Sequence, residues 1–379
     1  MSIASFFKPS SSSSSSGTKR PREGDEGTSS ASVSSSQSLP QPLTLCAWNA
    51  NSLLNRIEKD RAQLSAFLSA DTAPDLVFIS EVRMPAAGPP GCKKDDGKPR
   101  RRNEMSKANA AQSREAETIA TFLRQHNYRA YYTLSDSKYA GAALLVRRDC
   151  AQPSDLRYTL CDNEPPTQHT SEGRVIRCSF ADFDLLGTYS PNNGTSETSF
   201  ERRRKWDEQC AALLHGRAQS STTKPLIWLG DLNVAAAWND VGPDPDWFRD
   251  QNGQTALHAD DKGQPGFTAN EQSRFAALLD TGGLIDAYRL LHPTADWQRD
   301  VTWRGTPGVH NPAEGRYYNK GMRIDYVLVS RSLAPRIKRA IVHGKGPDRH
   351  GFLGSDHCPL IVELAPPPAA GEEKVAGDN

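Results

Sequence analysis

The chain has 379 residues, 36% hydrophobic and 24% charged, with a net charge of +1. This composition excludes a globally basic nucleic-acid binder, so contacts with nucleic acid must come from local patches. No run of about 18 apolar residues is present, which excludes a membrane-spanning helix. The N-terminus has no apolar signal segment, and the seven cysteines form no C-x-x-C pair. Together these features argue for an intracellular, reducing compartment and against structural zinc.

Residues 1–41 read as a disordered tail, because an unbroken serine run, Ser10 to Ser16, and further Ser, Gly and Thr cannot bury enough apolar surface to offset backbone entropy. Two islands stand out. Ile3 precedes the Phe6-Phe7 pair by three residues, a spacing that forms one turn of 3₁₀-helix with three apolar anchors. This resembles the box by which replication proteins bind the sliding clamp PCNA, although the usual Gln before the aliphatic residue has no room; the alternative is chance apolar residues in a tail. Lys19-Arg20-Pro21-Arg22 reads as a nuclear-localisation signal or, equally, as a solvated charge cluster.

Apolar patterning runs from Leu43 to Leu364, which places one catalytic-sized domain at 42–365 and a disordered tail at 366–379. Short β-rich runs are predicted at Leu43 to Trp48, Leu76 to Ile79, Ala142 to Val146, Val175 to Phe180, Leu185 to Thr188, Leu226 to Leu229, Ile324 to Val329 and Leu360 to Leu364. Helical spacing is found in Leu53, Ile57, Leu64 and Leu68, and in Phe200, Trp206, Cys210 and Leu213. Thr268 and Glu271 form a capping box, and Gly282-Gly283 ends that helix. Residues 85–113, with Lys93-Lys94 and Arg100-Arg101-Arg102, read as an inserted flexible loop that either touches a phosphate backbone or is simply solvated. The Val175–Thr188 segment reads as a hairpin, so mixed sheets packed face to face with outer helices fit better than one parallel sheet.

Chemistry gathers where the apolar runs end. Asn49 and Asn51, Glu81, Tyr189 and Asn192, and Asp231 and Asn233 follow strands, while Asp325 lies just inside one and Asp356-His357 precede another. One such residue is more often a turn or cap; six sites together need a common explanation, and phosphodiester hydrolysis supplies it. An Asp can deprotonate water, His, Asn and Tyr donors can stabilise a charged transition state, and hard oxygen ligands such as Glu81 and Asp356 suit Mg²⁺. His357 needs a partner to fix its tautomer, and Asp325 is the best placed.

The motifs Trp48-Asn49-Ala50-Asn51, Ser80-Glu81, Tyr189-Ser190-Pro191-Asn192, Gly230-Asp231-Leu232-Asn233, Arg323-Ile324-Asp325-Tyr326 and Gly354-Ser355-Asp356-His357-Cys358-Pro359 occur in the order of exonuclease III-type AP endonucleases, and the chain resembles that family from Leu43 to Leu364. The resemblance implies a four-layer α/β sandwich of two mixed sheets, a damaged double-stranded DNA substrate, and Mg²⁺ dependence with Mn²⁺ as a substitute. It implies that Glu81 is the principal metal ligand, with Asp356 and Asn51 nearby. Asp231 would activate water, Asn233 and Asn49 would position water and phosphate, Tyr189 and Asn192 would hold phosphate oxygens, and His357, backed by Asp325, would stabilise the transition state. Trp303, Met322 and Ile324 are the abasic-pocket candidates, with ordinary core residues as the alternative, and Arg203, with Arg202 and Arg204, is a candidate phosphate contact, a solvated helix face being the alternative for Arg202 and Arg204.

Departures from the family pattern are Ser80 for Gln, Arg83 for Lys, Ala236 for His, Met322 for Trp and Trp303 for Phe; they blur the balance between abasic incision and 3′-end trimming. Alternatives are a relative acting on inositol phosphates, lipids or RNA, and a binding module with a decayed site. The tail islands lead to the expectation of a nuclear, clamp-associated monomer.

Overall fold

The computed structural model describes residues 42–367 except 92, 94–96, 99, 253–255, 295 and 306–314. The Ile3, Phe6, Phe7 and Lys19–Arg22 islands, and most of the C-terminal tail, lie outside the described residues.

The first half contains strands β1 (Leu43–Asn49), β2 (Leu76–Ser80), β3 (Ala86–Ala87), β4 (Arg101–Met105), β5 (Tyr128–Thr133) and β6 (Ala142–Arg147), with helices α1 (Leu53–Lys59), α2 (Arg61–Ser69) and α3 (Ala110–Gln125). The second half begins with β7 (Ser154–Arg157), β8 (Val175–Ser179), β9 (Asp184–Thr188), α4 (Glu197–Gln219), β10 (Leu226–Asp231), β11 (Val241–Gly242), α5 (Pro245–Arg249) and α6 (Ala269–Gly282). It closes with β12 (Leu284–Asp286), α7 (Ala287–Leu291), α8 (Trp297–Asp300), β13 (Trp303–Arg304), β14 (Gly321–Met322), β15 (Asp325–Ser330), β16 (Ile337–Val342) and β17 (Leu360–Leu364).

Twelve of the described strands build two six-stranded mixed sheets, ordered β16-β17-β1-β2-β6-β5 and β12-β15-β10-β9-β8-β7, and the others form a small three-stranded sheet, β11-β14-β13, and the β3-β4 pair. Their central strands are apolar on both faces, and the period of two sorts each strand between two cores. In the first sheet Leu45, Ala47, Phe78 and Leu144 meet Leu185, Ile227, Leu229 and Val327 of the second, forming the core between the sheets. The alternate residues Cys46, Trp48, Val77 and Ile79 face outward onto α1, α2 and α3. Likewise Leu226, Trp228 and Leu328 face outward onto α4 and α6. The result is the expected four-layer α/β/β/α sandwich.

Two glycines let the sheets approach. A Cβ on Gly187 would come within 2.3 Å of the Phe78 ring in the facing sheet, and one on Gly230 within 3.0 Å of the same ring and 2.0 Å of the Thr188 carbonyl in its own sheet. Gly230 also has φ +137°, a conformation side chains disfavour, and it sets the direction of Asp231. Helix α6 begins at the predicted capping box, where Thr268 and Glu271 cap each other reciprocally, and ends at Gly283 in the left-handed region.

Residues 85–113 were expected as one flexible loop; instead they carry β3 and β4, paired antiparallel, and the first turn of α3. Polar β4 is held because Leu134 donates its amide to the Arg102 carbonyl and Met105 is buried. Strands β5, β7 and β16 are further additions. They are edge or near-edge strands whose outward Arg, Lys and Asp residues break the apolar runs that revealed the central strands.

Candidate active site

Register places the polar strand ends on one rim. Parallel β1 and β2 finish together, with Asn49 beside Ser80, so Asn49, Asn51 and Glu81 leave the first sheet at the same level. Antiparallel β10 and β15 put Asp231 opposite Asp325 in the second sheet. The turn before β17 brings Asp356 and His357 to the same place, since Leu360 pairs with Ala47 near the end of β1. Trp48 Nε1 donates to the His357 carbonyl over 3.1 Å, and Ser355 Oγ donates to the Asn49 carbonyl over 2.8 Å, so this turn is fastened to β1.

His357 Nδ1 lies 2.8 Å from Asp325 Oδ2, and its Nε2 faces Asp231 Oδ2 at 3.9 Å. All three side chains are buried. Thr302 Oγ1 accepts the Ile324 and Asp325 amides, fixing the start of β15. Burial acts to lower the His357 pKa, but the Asp325 charge and hydrogen bond, with Asp231 and Asp356, push it upward on balance, which favours an imidazolium. Burial, and then the Asp325 charge, push the Asp231 carboxyl upward against the opposing effects of His357 and Asn49.

Asn49 is the hub of the other carboxylates. Its amide donates to Glu81 Oε1 over 3.0 Å and to Asp231 Oδ2 over 2.9 Å, while its oxygen accepts the Asn51 amide. Tyr189 also donates to Glu81 Oε1, over 2.8 Å. Burial first, then the Glu81 charge, raise the Tyr189 phenol well above its ordinary value and keep it a donor. Arg83 Nε donates to Glu81 Oε2 over 2.7 Å. Asp356 receives Asn51 Nδ2 on one oxygen over 2.8 Å and Trp303 Nε1 on the other over 3.2 Å. Burial raises the Asp356 carboxyl, but the His357 charge and these hydrogen bonds hold it below the ordinary range, so it stays ionised.

Two donor sets offer themselves to a metal. Asp231, Asp325 and His357 present ligand atoms within 4.8 Å of one another. His357 Nδ1 and Asp325 Oδ2, however, are already hydrogen-bonded to each other and Asp231 Oδ2 accepts from Asn49, and an imidazole nitrogen is a poor ligand for a hard cation. Glu81, Asp356 and the Asn51 amide are oxygen donors, with Asp356 held ionised, and this set fits Mg²⁺ better.

Asn233 has φ +49° and sits in a left-handed turn. Its amide nitrogen donates to Asp231 Oδ1 over 3.0 Å, its Nδ2 donates to the Ser190 carbonyl over 3.0 Å, and its Oδ1 accepts Asn192 Nδ2 over 3.3 Å. The structure thus brings Asn49, Asn51, Glu81, Tyr189, Asn192, Asp231, Asn233, Asp325, Asp356 and His357 into one connected group.

Four expectations need correction. Arg203 does not face DNA: it is buried, paired with Asp207, and donates to the Pro191 and Asn233 carbonyls. It braces the two turns that carry Asn192 and Asn233. Asn49 is fully buried and donates its two amide protons to Glu81 and Asp231, which leaves no side-chain donor directed at a phosphate. Met322 and Ile324 are buried with Phe248 and Phe267 in a small cluster, and of the three pocket candidates only Trp303 keeps a partly exposed ring. Arg202 remains exposed, donating to the Asn192 carbonyl and lying 3.7 Å from Glu172, and Arg204 is paired with Glu197 and Asp261.

The sequence reading missed Arg174, a buried residue that donates to the Tyr189 carbonyl over 3.0 Å and lies 4.3 Å from the Tyr189 ring centre. Its signal was an arginine directly before a fully apolar strand start. It also missed the pairing of buried Arg323 with Asp240 and Asp286, which anchors the segment before Asp325.

Comparison with known proteins agrees with this architecture. Residues 46–357 match the model of the Endonuclease/Exonuclease/phosphatase family. An Arabidopsis thaliana protein named DNA-(apurinic or apyrimidinic site) endonuclease is 40% identical over 381 residues, covering 97% of this chain and 98% of that protein. A Plasmodium berghei (strain Anka) protein of the same name is 30% identical, covering 84% of this chain and 62% of the relative. Among solved structures, an AP endonuclease from Leishmania major aligns with a TM-score of 0.59 and 19% identity, covering 86% of this chain and 89% of that one. A Neisseria 3′ phosphatase bound to a product DNA hairpin aligns with a TM-score of 0.57 and 21% identity, covering 85% of this chain and 99% of that one.

Proposed function

Because the chain belongs to the endonuclease/exonuclease/phosphatase family, in its exonuclease III-type AP endonuclease branch, we propose that it hydrolyses the phosphodiester 5′ to abasic sites in duplex DNA, with 3′-phosphodiesterase and 3′–5′ exonuclease activity besides. The observation that carries this reading is the buried Asp231–His357–Asp325 group, set beside the oxygen donors Glu81 and Asp356.

In this mechanism Asp231 takes a proton from a water that Asn233 helps to orient, and the water oxygen attacks phosphorus. The P–O3′ bond breaks, O3′ leaves as a hydroxyl by taking a proton from solvent water, Asp231 returns its proton to solvent, and the phosphate stays on the 5′ side of the abasic sugar. His357, held as an imidazolium by Asp325, donates from Nε2 to a phosphoryl oxygen as charge accumulates there, and exposed Asn192 supplies a further donor, joined by Tyr189 once its hydroxyl turns from Glu81. Glu81, Asp356 and Asn51 would hold Mg²⁺, or Mn²⁺ in its place, and the bound ion would neutralise charge on the phosphoryl and leaving oxygens.

A second reading, in which trimming of 3′ ends dominates, is favoured by the burial of Met322 and Ile324, which leaves little side-chain surface to receive an extruded sugar. The wider placement is a monomer in the nucleus, associated with a sliding clamp through Ile3, Phe6 and Phe7. Deleting the residues before Ser38 from a tagged chain should abolish nuclear or focal localisation, and unchanged localisation would count against it.

The test of function is incision of a duplex carrying one stable abasic analogue, with Mg²⁺ or EDTA, alongside a duplex with a blocked 3′ end. Mg²⁺-dependent cleavage 5′ to the lesion, lost in Asp231→Ala, is expected. Strong 3′ processing with weak incision would select the second reading, and no cleavage of either DNA would overturn both.

A further inference from the structure

A line of aromatic rings leads away from the candidate metal site, and none of the roles above uses it beyond Trp303. Trp303, which donates to Asp356, lies 5.8 Å from Tyr317, centre to centre, and Tyr317 lies 5.7 Å from Trp247. Both contacts are steep, at 72° and 89°, so the rings alternate in orientation. All three are partly exposed, unlike the buried Phe248 and Phe267 behind them. Gly305 makes the arrangement feasible, since a Cβ there would come within 2.1 Å of Tyr317 Cβ.

Two cations converge on the same rings. Lys320 Nζ lies 4.3 Å from the centre of Trp247, with its head group fixed by the Arg316 carbonyl, and the Arg316 guanidinium lies 5.4 Å from Tyr317. Among the described residues no carboxylate forms an ion pair with either cation. A packed mini-core explains the rings but not two cations against them that are held only by the Gln251 side chain and the Arg316 carbonyl, with no ion pair among the described residues. Aromatic faces alternating with positive charge, continuous with a phosphodiester-cleaving centre, match the chemistry of an unpaired nucleic-acid strand, whose bases stack and whose phosphates are neutralised.

We propose that Trp247 and Tyr317, with Lys320 and Arg316, form a binding site for unpaired nucleotides adjoining the scissile phosphodiester, so that the enzyme engages frayed or overhanging DNA ends through its catalytic domain. The proposal rests on the DNA-cleaving reading but is tested apart from cleavage.

Binding is measured for the full chain in EDTA, by fluorescence anisotropy, on undamaged blunt duplex and on the same duplex with a four-nucleotide 3′ or 5′ overhang carrying 2-aminopurine. Wild type should bind one overhang more tightly than the blunt end and quench the 2-aminopurine. Trp247→Ala should lose from about fivefold to about a hundredfold of overhang affinity, the range for removing one stacking partner. Lys320→Ala should lower the salt slope on the overhang by about 0.7, the value for one single-strand phosphate contact. Trp247→Phe, which keeps a ring packed on Phe248, guards against misfolding and should retain part of the preference. Equal wild-type affinity for blunt and overhanging ends, or an overhang preference untouched in Trp247→Ala and Tyr317→Ala, would overturn the proposal, even with abasic incision intact. An overhang preference without cleavage of any DNA would instead support this site while removing the catalytic reading.

Discussion

Asp231 and Asp325 stand opposite each other on one rung of the β10–β15 ladder, and the His357 ring lies close to both carboxylates. Two buried carboxylates at such a separation cannot both be ionised without a cation, so the imidazolium is part of what makes the arrangement stable. Asp325 has one buried oxygen bonded to His357 and another without a hydrogen-bond partner. Asp325→Asn should therefore lower the single-turnover rate by about a hundredfold or more, by removing the charge that keeps His357 protonated. Proton NMR of the His357 ring checks the cause: its titration should move down in pH in the variant, and an unmoved titration would contradict this assignment.

The raised Asp231 carboxyl sets the direction of the pH dependence. A base must be deprotonated to work, so the chemical step should accelerate as pH rises through neutrality and then level off. The stability contribution has the opposite sense. A folded-state pKa above the unfolded value of about 3.9 favours folding at acid pH, and that contribution is lost as pH rises through the folded value. Asp231→Asn removes both effects. Its rate should be low and flat with pH, and its Tm advantage over wild type should grow from acid to alkaline solution.

Arg83 is paired with the carboxylate proposed to hold the metal. A divalent cation reaching Glu81 must share or displace that guanidinium. Arg83→Ala should tighten Mg²⁺ binding severalfold, or about 1 kcal/mol by the scale of a solvent-exposed ion pair, as read by isothermal titration calorimetry without DNA. Weaker Mg²⁺ binding in the variant would show that Arg83 orients Glu81 and does not compete at it.

Arg203 offers a stability test. Its guanidinium is buried against Asp207, lies 4.0 Å from buried Glu271, and ties together the turns of Asn192 and Asn233. Arg203→Met leaves buried Glu271 without an ion pair and Asp207 held by Arg274 alone, and should cost about 3 kcal/mol in urea unfolding. The free chain's affinity for DNA measured at high salt, where exposed charges matter little, should fall only as far as the site residues shift. A stability change near zero would mean that the pairing is unimportant.

The central strands and the carboxylates that end them were legible in the sequence because a buried strand writes an unbroken apolar run, and a charge after it has to sit at the rim. The bracing residues were harder to read because they share a residue type with neighbours that play other parts. Arg202, Arg203 and Arg204 differ only in helical phase; Arg203 alone falls on the face of Phe200, Trp206 and Cys210, and that spacing could have identified it as buried. Asn49 was taken for a phosphate ligand because its motif places it at the site, whereas only the three-dimensional arrangement shows its two protons spent on Glu81 and Asp231. The aromatic line was invisible because Trp247, Tyr317 and Trp303 belong to separate segments whose meeting depends on how β11, β13 and β14 pair.

The pairing of the first core strand with the last, Leu43 against Leu364, has a consequence for biosynthesis. While the ribosome is still translating β17, β1 can pair with β2 but its other edge stays open, and Asp356 and His357 are not yet fastened to it. The nascent chain thus lacks an assembled site until the end of β17 has cleared the exit tunnel. Synthesis interrupted before that point releases a chain with an unpaired central edge, a natural target for chaperones and proteases.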